Sequence, residues 1–499
     1  MATVSDVLKQ SDFGERVAEE ESSELEGYFV ETEQWQAVLR GQADIIYGAK
    51  GAGKSAVYSL LNRRAKELSC RGIRTVSAEK PSGAPVFKGL QQDPPTSEDE
   101  FVGLWKLYFL SLIASALSPG RKNSKANRLR KSLTAAGVYA KQVNLSERLQ
   151  MAFDYVKRVF REGTVAVEAG MSIDSVSAVP AGVSAKIVFS PGSARPRDGV
   201  YHVDDLLHLA NDALEHEGVR LWILLDRLDV AFAESHELEE NALRALFRVY
   251  LDILALERIV PKIFLRTDIW SRIARRGFRE ASHITRTITI EWTPEALLNL
   301  IVKRALKNAP VVGYLGVDVG GVLESFERQR EVFYRIFPQQ VDIGERKPNT
   351  LDWMLTRVAD GSKRTAPREI IHLLNSAREE RLREHELGAS ATNLLFSRSA
   401  LKASLPAVSR TRLHQTLLAE YPNLRVHIEG LRGQKTEQTP DTLAGVWSVS
   451  REEAIQTAAM LVEAGFFEER GTVAEPVYWV PFLYRDAAGM VQGAAPKMM

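Results

Sequence analysis

The sequence predicts an α/β fold, with a parallel sheet between helices, then a helical region and a small C-terminal module. Apolar runs at 45–47, 219–225 and 261–265 are typical of strands buried on both faces of a parallel sheet. Segments with helical apolar spacing separate these runs, and alternating strands and helices favour right-handed parallel connections. From residue 294 to about 388 the apolar pattern is helical throughout.

The most specific motif follows the first predicted strand. Residues 48–55 read Gly-Ala-Lys-Gly-Ala-Gly-Lys-Ser, which fits the pattern G-x-x-x-x-G-K-[ST] of a nucleotide-binding P-loop. Its glycines let the backbone curl around a phosphate at a helix N-terminus. Lys54 is expected to reach the β- and γ-phosphates, and Ser55 to hold Mg²⁺. The predicted ligands are therefore ATP and Mg²⁺, bound by Gly48, Lys50, Gly51, Ala52, Gly53, Lys54, Ser55 and Ala56.

A second motif ends the apolar run at 221–225. Hydrolysis needs an acid that organises Mg²⁺ and the attacking water, and Asp226 is in the expected place for a second metal ligand beside Ser55. Many ATPases place a glutamate directly after this aspartate, but this chain has Arg227 there. Asp229 is predicted to orient the water instead. The alternative is a switch that hydrolyses slowly.

Two further sites are candidates for sensing the γ-phosphate. At the first, Arg266 and Thr267 follow the apolar run at 261–265, beside the predicted Asp226 strand. Arg368 lies in the first turn of a helix that opens with Pro367, where the helix dipole disfavours a cation. A phosphate partner would explain this arginine. The alternative is a solvated surface side chain.

These motifs resemble those of the AAA+-like and STAND-like bacterial ATPases related to origin-recognition proteins. The resemblance covers about residues 25–390, and it implies a Walker A and B pair, a first sensor near Thr267 and a second sensor at Arg368 on a helical lid. Uncharacterised defence-associated P-loop ATPases look similar as well. Lys54 and Asp226 are 172 residues apart, which requires a large insertion.

Four parts are predicted: an N-terminal helical segment (1–40), a P-loop domain (41–293) with an insertion at about 118–200, the lid (294–390) and a winged-helix-like domain (400–499). The last part is predicted to have helices at 412–421, 439–447 and 450–464, followed by a β-wing. Glu452 and Glu453 open its third helix, and Glu468 and Glu469 open the wing. Because carboxylates repel DNA phosphates, this module is expected to bind protein rather than DNA.

Two basic clusters are candidates for partner contacts. One lies in the insertion and is the predicted nucleic-acid site, unless it is simply a solvated helix face. The other is either an arginine finger for a neighbouring copy's ATP or ordinary surface charge. The first cluster comprises Arg121, Lys122, Lys125, Arg128, Arg130 and Lys131, and the second Arg272, Arg275, Arg276 and Arg279.

The composition bounds the class of protein. It is 45% hydrophobic and 26% charged, as in ordinary globular proteins, and its net charge of +1 gives no general attraction to nucleic acid or anionic lipid. Cys70 is the single cysteine, which fits a reducing cytosol. No signal core or membrane-length apolar run is present, so a cytoplasmic protein without a membrane partner is expected.

Together these features favour an ATP-binding and ATP-hydrolysing switch or motor, acting in DNA transactions or phage defence. Two alternatives stay open. One is a nucleotide-gated scaffold with little turnover, and the other is a DNA-binding initiator or repair ATPase. A protein partner or self-assembly is also expected.

Overall fold

The computed structural model describes residues 3–16, 21, 25–80, 86–87, 94–95, 97–119, 123–162, 186–189, 200–228, 235–388 and 392–495. The chain divides into two compact units. The sheet unit comprises Glu33–Gly48 and Lys54–Ile290, and the helical unit comprises Met1–Thr32, Ala49–Gly53 and Glu291–Met499. Three separate chain segments therefore build the helical unit. The four-part division inferred from the sequence stays a prediction.

The sheet unit contains a five-stranded, fully parallel sheet. Its strands are β1 (Ile45–Gly48), β2 (Ile73–Ser77), β5 (Arg220–Leu225), β6 (Ile259–Arg266) and β7 (Thr287–Ile290), in the order β2-β5-β6-β1-β7. A separate parallel pair consists of β3 (Lys186–Val188) and β4 (Val200–His202). The α/β class with a parallel sheet is thus confirmed.

Strand β1 lies between β6 and β7, with Ile45 opposite both Ile263 and Thr287. Its residues are all buried, because helices cover both faces of the sheet. The long helix Glu98–Ala116 is apolar almost all round, since helices on either side bury it. The helices of this unit are Glu33–Leu39, Lys54–Arg63, Ala65–Cys70, Glu98–Ala116, Ser124–Ala135, Leu145–Lys157, Val203–His216, His236–Ile253 and Thr267–Arg275.

The predicted insertion adds to the core of the sheet unit. Leu129 and Leu133 of the first inserted helix, and Phe153 and Val156 of the second, are buried in the same cluster as the sheet residues. Residues 163–185 and 190–199 lie outside the described part. The described part of the insertion is therefore packed against the sheet unit rather than appended to it.

The helical unit is built around a second core that includes Leu298, Phe333, Trp353 and Leu373. The N-terminal helix belongs to it, because the Arg378 Nε donates to the Leu8 carbonyl at 2.7 Å. Up to residue 388 its helices are Val4–Lys9, Leu25–Tyr28, Pro294–Leu306, Ala309–Leu315, Val319–Leu323, Phe326–Ile336, Thr350–Val358 and Pro367–Glu386. No helix in the described ranges is long and apolar enough to cross a membrane.

Residues 398–495 form the C-terminal module of the helical unit. Its helices are Arg398–Arg410, Leu418–Glu420, Arg425–Gly430, Pro440–Trp447, Arg451–Glu463 and Phe482–Arg485, with a π-helical turn at Thr411–Leu417. Its strands are β8 (Lys435–Gln438), β9 (Glu468–Gly471), β10 (Pro476–Trp479) and β11 (Val491–Ala494), in the order β11-β8-β10-β9. The helix predicted from residue 412 already begins at Arg398. The winged-helix assignment stays a prediction.

Candidate functional site

The sheet unit holds both flanks of the glycine-rich loop. Strand β1 ends at Gly48, and the next helix begins at Lys54. The Lys54 Nζ donates to the Gly48 carbonyl at 3.0 Å, so the ammonium reaches back to the start of the loop. Ser55 and Ala56 lie in the first turn, where backbone N–H groups lack intrahelical partners. This strand–loop–helix order is the setting that a phosphate-binding loop requires.

The loop itself, Ala49–Gly53, belongs to the helical unit. Gly51 and Gly53 have φ angles of 81° and 100°, in the left-handed region that side chains disfavour. A Cβ at Gly51 would lie 3.1 Å from the Arg368 Cβ, whereas a Cβ at Gly53 would meet no atom of the described residues within 4 Å. The Trp292 Nε1 donates to the Ala52 carbonyl at 2.8 Å. One side of the loop is therefore packed, and the space beside Gly53 is open.

Asp226 directly follows β5 and is 4% exposed. The next residue, Arg227, has a φ of 60°, which is unfavourable for a side chain larger than glycine. Such conformations concentrate at functional sites, and here the turn redirects the chain just after the carboxylate. Asp229 lies outside the described residues, so its role stays a prediction.

Thr267 is the first residue of the helix after β6. Its Oγ1 is buried and has no hydrogen-bond partner among the described groups. A buried hydroxyl without a partner costs roughly 1–3 kcal/mol, so this position fits a polar ligand. The neighbouring Arg266 is engaged by Asp268 through two hydrogen bonds of 3.1 and 2.7 Å.

A second acid lies at this edge of the sheet, and sequence reasoning missed it. Glu79 is 1% exposed and lies two residues beyond β2, the strand beside β5. Its carboxylate accepts the backbone N–H groups of Lys80 at 2.7 Å and Val86 at 2.9 Å. Burial raises the pKa of Glu79, although Arg227 opposes the shift. The available signal was an acid close after a predicted strand, similar to the signal that identified Asp226.

In the helical unit, Arg368 is the second residue of the helix Pro367–Glu386. Its Nε donates to the Arg16 carbonyl at 3.4 Å. Both arginines line a cavity of about 190 Å³, and within the described part of the chain neither guanidinium is paired with a carboxylate. Burial and Arg16 lower the pKa of the neighbouring His372 to about 4, so that imidazole is neutral at pH 7. Arg412 and Glu369 also line the cavity and pair with each other, so Arg16 and Arg368 leave it with a net positive charge that fits an anion.

The C-terminal module reaches both the loop and the Arg368 helix inside the helical unit. The Arg412 Nη1 donates to the Glu369 Oε1 at 3.1 Å, and its Nη2 lies 3.5 Å from the Asp360 Oδ2. Lys50 of the loop forms an ion pair with Glu420. The pairs Glu420–Lys50 and Arg412–Glu369 connect one short segment of the module to the phosphate-binding motif and to the residue next to Arg368.

The basic cluster of the insertion is partly used within the fold. Lys125 pairs with Asp212 at 2.8 Å. The Arg130 guanidinium donates to the carbonyls of Ala114 at 2.9 Å and Leu117 at 2.6 Å, where it caps the helix that ends there. Arg128 and Lys131 are exposed, and Arg121 and Lys122 lie outside the described residues. Nucleic-acid binding by this cluster stays a prediction.

The second basic cluster is also engaged internally. Arg272 pairs with Glu239 and Glu240, and the Arg276 Nη1 lies 2.9 Å from the Glu240 Oε1. An arginine that reaches another copy's nucleotide would have to leave these carboxylates. For Arg272 and Arg276, the contacts therefore favour a role within the fold over that of an arginine finger.

Ser55 and Asp226, the two metal ligands predicted from the sequence, are too few for a site made of protein alone. No group of three or more His, Cys, Asp or Glu side chains in the described ranges could hold a metal. Mg²⁺ commonly takes one or two protein oxygens and completes its shell with phosphate and water. Ser55 and Asp226 would supply that share.

No protein-family model and no curated protein matches the chain. Among solved structures, the chain is similar to the Aeropyrum pernix ORC2 protein, determined as ADPNP-ADP complexes. The alignment covers 91% of this chain and 88% of that protein, at 12% identity and a TM-score of 0.30. A similarity of this strength identifies a neighbour and assigns no family.

Proposed function

We propose that this chain is a P-loop ATPase that binds Mg-ATP through residues 48–56 and acts as a nucleotide-driven switch or motor. The observation that carries the proposal is the loop between β1 and the helix Lys54–Arg63. Its glycines adopt left-handed conformations, space is open beside Gly53, and Lys54 and Ser55 open the following helix. These are the features with which a backbone cradles phosphate.

The roles follow from the chemistry of the groups. Lys54 neutralises the β- and γ-phosphates, while Ser55 and Asp226 hold Mg²⁺. The Thr267 hydroxyl, which is buried and has no hydrogen-bond partner among the described groups, suits a hydrogen bond to the γ-phosphate or the attacking water. Arg368, beside Gly51, supplies positive charge to the phosphates.

Hydrolysis requires a group that orients the water, and two acids are candidates for it. Asp229 is the one predicted from the sequence. Glu79 is the other, because it is buried at the same edge of the sheet and its raised pKa favours proton uptake. The scaffold alternative draws support from Arg227, which occupies the position where many ATPases have a glutamate. Steady-state phosphate release separates an ATPase from a scaffold.

The wider role, in a DNA transaction or phage defence, rests on the motif resemblance. A DNA-dependent ATPase would hydrolyse ATP faster with duplex or single-stranded DNA, whereas a switch with a protein partner or self-assembly would not. Turnover measured with and without DNA, on protein sized by light scattering, decides between them.

The decisive test of binding is Lys54→Ala, which removes the cation placed on the phosphates. Calorimetry with Mg-ATP should show binding heat for the wild type and none for the variant. Lys66→Ala, an exposed lysine on the next helix, is the matched control and should bind normally. Wild-type affinity in Lys54→Ala would contradict the P-loop assignment.

The two acids are separated by Asp229→Asn and Glu79→Gln. The variant that loses the water-orienting group should still bind ATP, but its turnover should fall by roughly 10²–10⁴-fold. The other variant should keep its turnover. If both retain wild-type rates, neither residue has this role.

A further inference from the structure

One side chain of the C-terminal module is held against the phosphate-binding loop. Glu420 forms an ion pair with Lys50, and the two side chains are 18% and 31% exposed. Lys50 lies between Gly48 and Gly51, so its ammonium belongs to the region where phosphate is expected. We propose that Glu420 is a positioning residue that lowers nucleotide affinity by holding the Lys50 ammonium away from phosphate. This inference rests on the proposed function.

The position of Glu420 is fixed by the packing of its segment. Leu413, Leu417 and Leu418 are buried just before it. Arg412, at the start of the segment, is paired with Glu369 and Asp360, and its Nε donates to the Tyr484 hydroxyl at 3.3 Å. Glu420 is therefore not a mobile surface residue. Since the pair is partly buried, salt screens it less than an exposed pair.

The electrostatic consequence has a definite sign. An ammonium paired with a carboxylate offers little net attraction to phosphate, and the carboxylate repels the incoming anion. Lys50 can pair fully with either Glu420 or phosphate, so the two partners compete. Replacing the carboxylate with an amide of the same shape removes the competitor and leaves the ammonium in place.

The same competition acts on the module. By thermodynamic linkage, a contact that weakens nucleotide binding is itself weakened by the nucleotide to the same degree. Nucleotide binding should therefore loosen the hold of Glu420 on the loop. The C-terminal module would then report whether the loop contains phosphate.

The test is the Mg-ATP dissociation constant of Glu420→Gln, measured by calorimetry on the full chain. It should fall about fivefold, in the range expected of a partly buried ion pair. Glu429→Gln is the matched control, because it makes the same charge change in the same module at an exposed pair with Arg425. The control should bind with wild-type affinity.

A double-mutant cycle with Lys50→Gln shows whether Glu420 acts through Lys50. In the Lys50→Gln background, Glu420→Gln should no longer tighten binding. If the fivefold gain in Mg-ATP affinity persists without Lys50, or if Glu429→Gln shows an equal gain, the change in net charge explains the effect. Either outcome would overturn the inference. Circular dichroism of each variant checks that the fold is retained.

The two proposals fail in different ways. If the wild type and Lys54→Ala bind Mg-ATP equally, the proposed function fails, and this inference fails with it. If the wild type binds, Lys54→Ala does not, and Glu420→Gln has wild-type affinity, only the role of Glu420 is overturned.

Discussion

Two buried ion-pair networks, one in each unit, contain nearly the same chemical groups but differ in their expected roles. In the sheet unit, Asp44 accepts from the Lys262 Nζ at 2.8 Å and from the Arg286 Nε at 2.6 Å. The Tyr250 hydroxyl donates to the same carboxylate at 3.3 Å. In the helical unit, Arg412 is the central group, surrounded by two carboxylates and the Tyr484 hydroxyl.

Their location shows which network can affect function. Asp44 and Arg286 directly precede β1 and β7, at the amino ends of parallel strands, whereas ligands bind at the carboxyl ends. A cavity of about 380 Å³ lined by Asp44, Tyr250 and Arg286 lies at this end, which shows that size alone does not identify a site. Arg412 instead contacts Glu369, the neighbour of Arg368. The first network is expected to support the fold alone, and the second the fold and the site.

The electrostatics of the central cations also differ. Burial lowers the pKa of Lys262, although Asp44 opposes the shift. Burial also acts to lower the pKa of Arg412, but Tyr484, Glu369 and Asp360 outweigh it and raise the pKa. The neighbours of Arg412 therefore outweigh the effect of burial on its charged form, whereas Asp44 does not outweigh it for Lys262.

The largest effect is expected for Arg412→Met, which leaves two buried carboxylates without their cation. Breaking such a pair lowers the free energy of unfolding by roughly 3–5 kcal/mol, which urea unfolding would measure. Mg-ATP affinity or turnover should change as well, because Glu369 adjoins Arg368. Arg412→Lys keeps the charge and should restore part of both properties. If Arg412→Met changes stability but not Mg-ATP affinity or turnover, Arg412 supports the fold alone, as is expected of Lys262.

Lys262→Met should destabilise by roughly 3 kcal/mol, at the low end of that range because Arg286 still pairs with Asp44. In the folded protein, nucleotide affinity should be unchanged. Lys125→Met breaks the exposed pair with Asp212 and should cost less than about 1 kcal/mol. A change in nucleotide affinity in Lys262→Met would contradict the structural role assigned to the sheet-unit network.

The two tyrosines give the sharpest matched comparison. Tyr484→Phe and Tyr250→Phe each remove one hydroxyl that makes a 3.3 Å hydrogen bond to a charged group. Each should cost about 1 kcal/mol of stability by urea unfolding. Only Tyr484→Phe should alter the Mg-ATP dissociation constant. Equal binding by both variants would remove the functional distinction between the networks.

The last comparison concerns pH. The pKa of His372 falls from 6.5 to about 4 in the folded protein, so between these values the unfolded chain binds more protons. This contribution to stability is present above pH 6.5 and is lost as the pH falls toward 4. His372→Gln should reduce the difference between urea midpoints at pH 7 and pH 5. The exposed His208→Gln should leave that difference as in the wild type.

In both units, the elements that could be predicted are those whose signals are local. The apolar runs before Gly48 and Asp226 give β1 and β5, and the Pro367 signal marks the start of a helix. The capping box of Ser450 and Glu453 also occurs as predicted. Each of these rests on periodicity or capping within about ten residues.

The ion pairs that join distant segments could not be predicted in this way. Glu420 is 370 residues from Lys50 in sequence, and neither residue is marked by an unusual neighbourhood. Arg130 was predicted to bind nucleic acid because it lies in a run of cations, yet its guanidinium is committed to backbone carbonyls. Composition along the chain does not show which charges the fold uses internally.

The segmental construction of the helical unit has a consequence for synthesis on the ribosome. Chains emerge N-terminal end first, and units begin to fold as they appear. The sheet unit is complete at Ile290, but the helical unit also needs Glu291–Met499 to join Met1–Thr32 and the loop Ala49–Gly53. During synthesis the rest of the sheet unit, up to Ile290, therefore appears before the remaining part of the loop's own core. A nascent chain stalled after Ile290 has left the ribosome, but before Met499 is made, would contain a folded sheet unit with an unfinished phosphate loop.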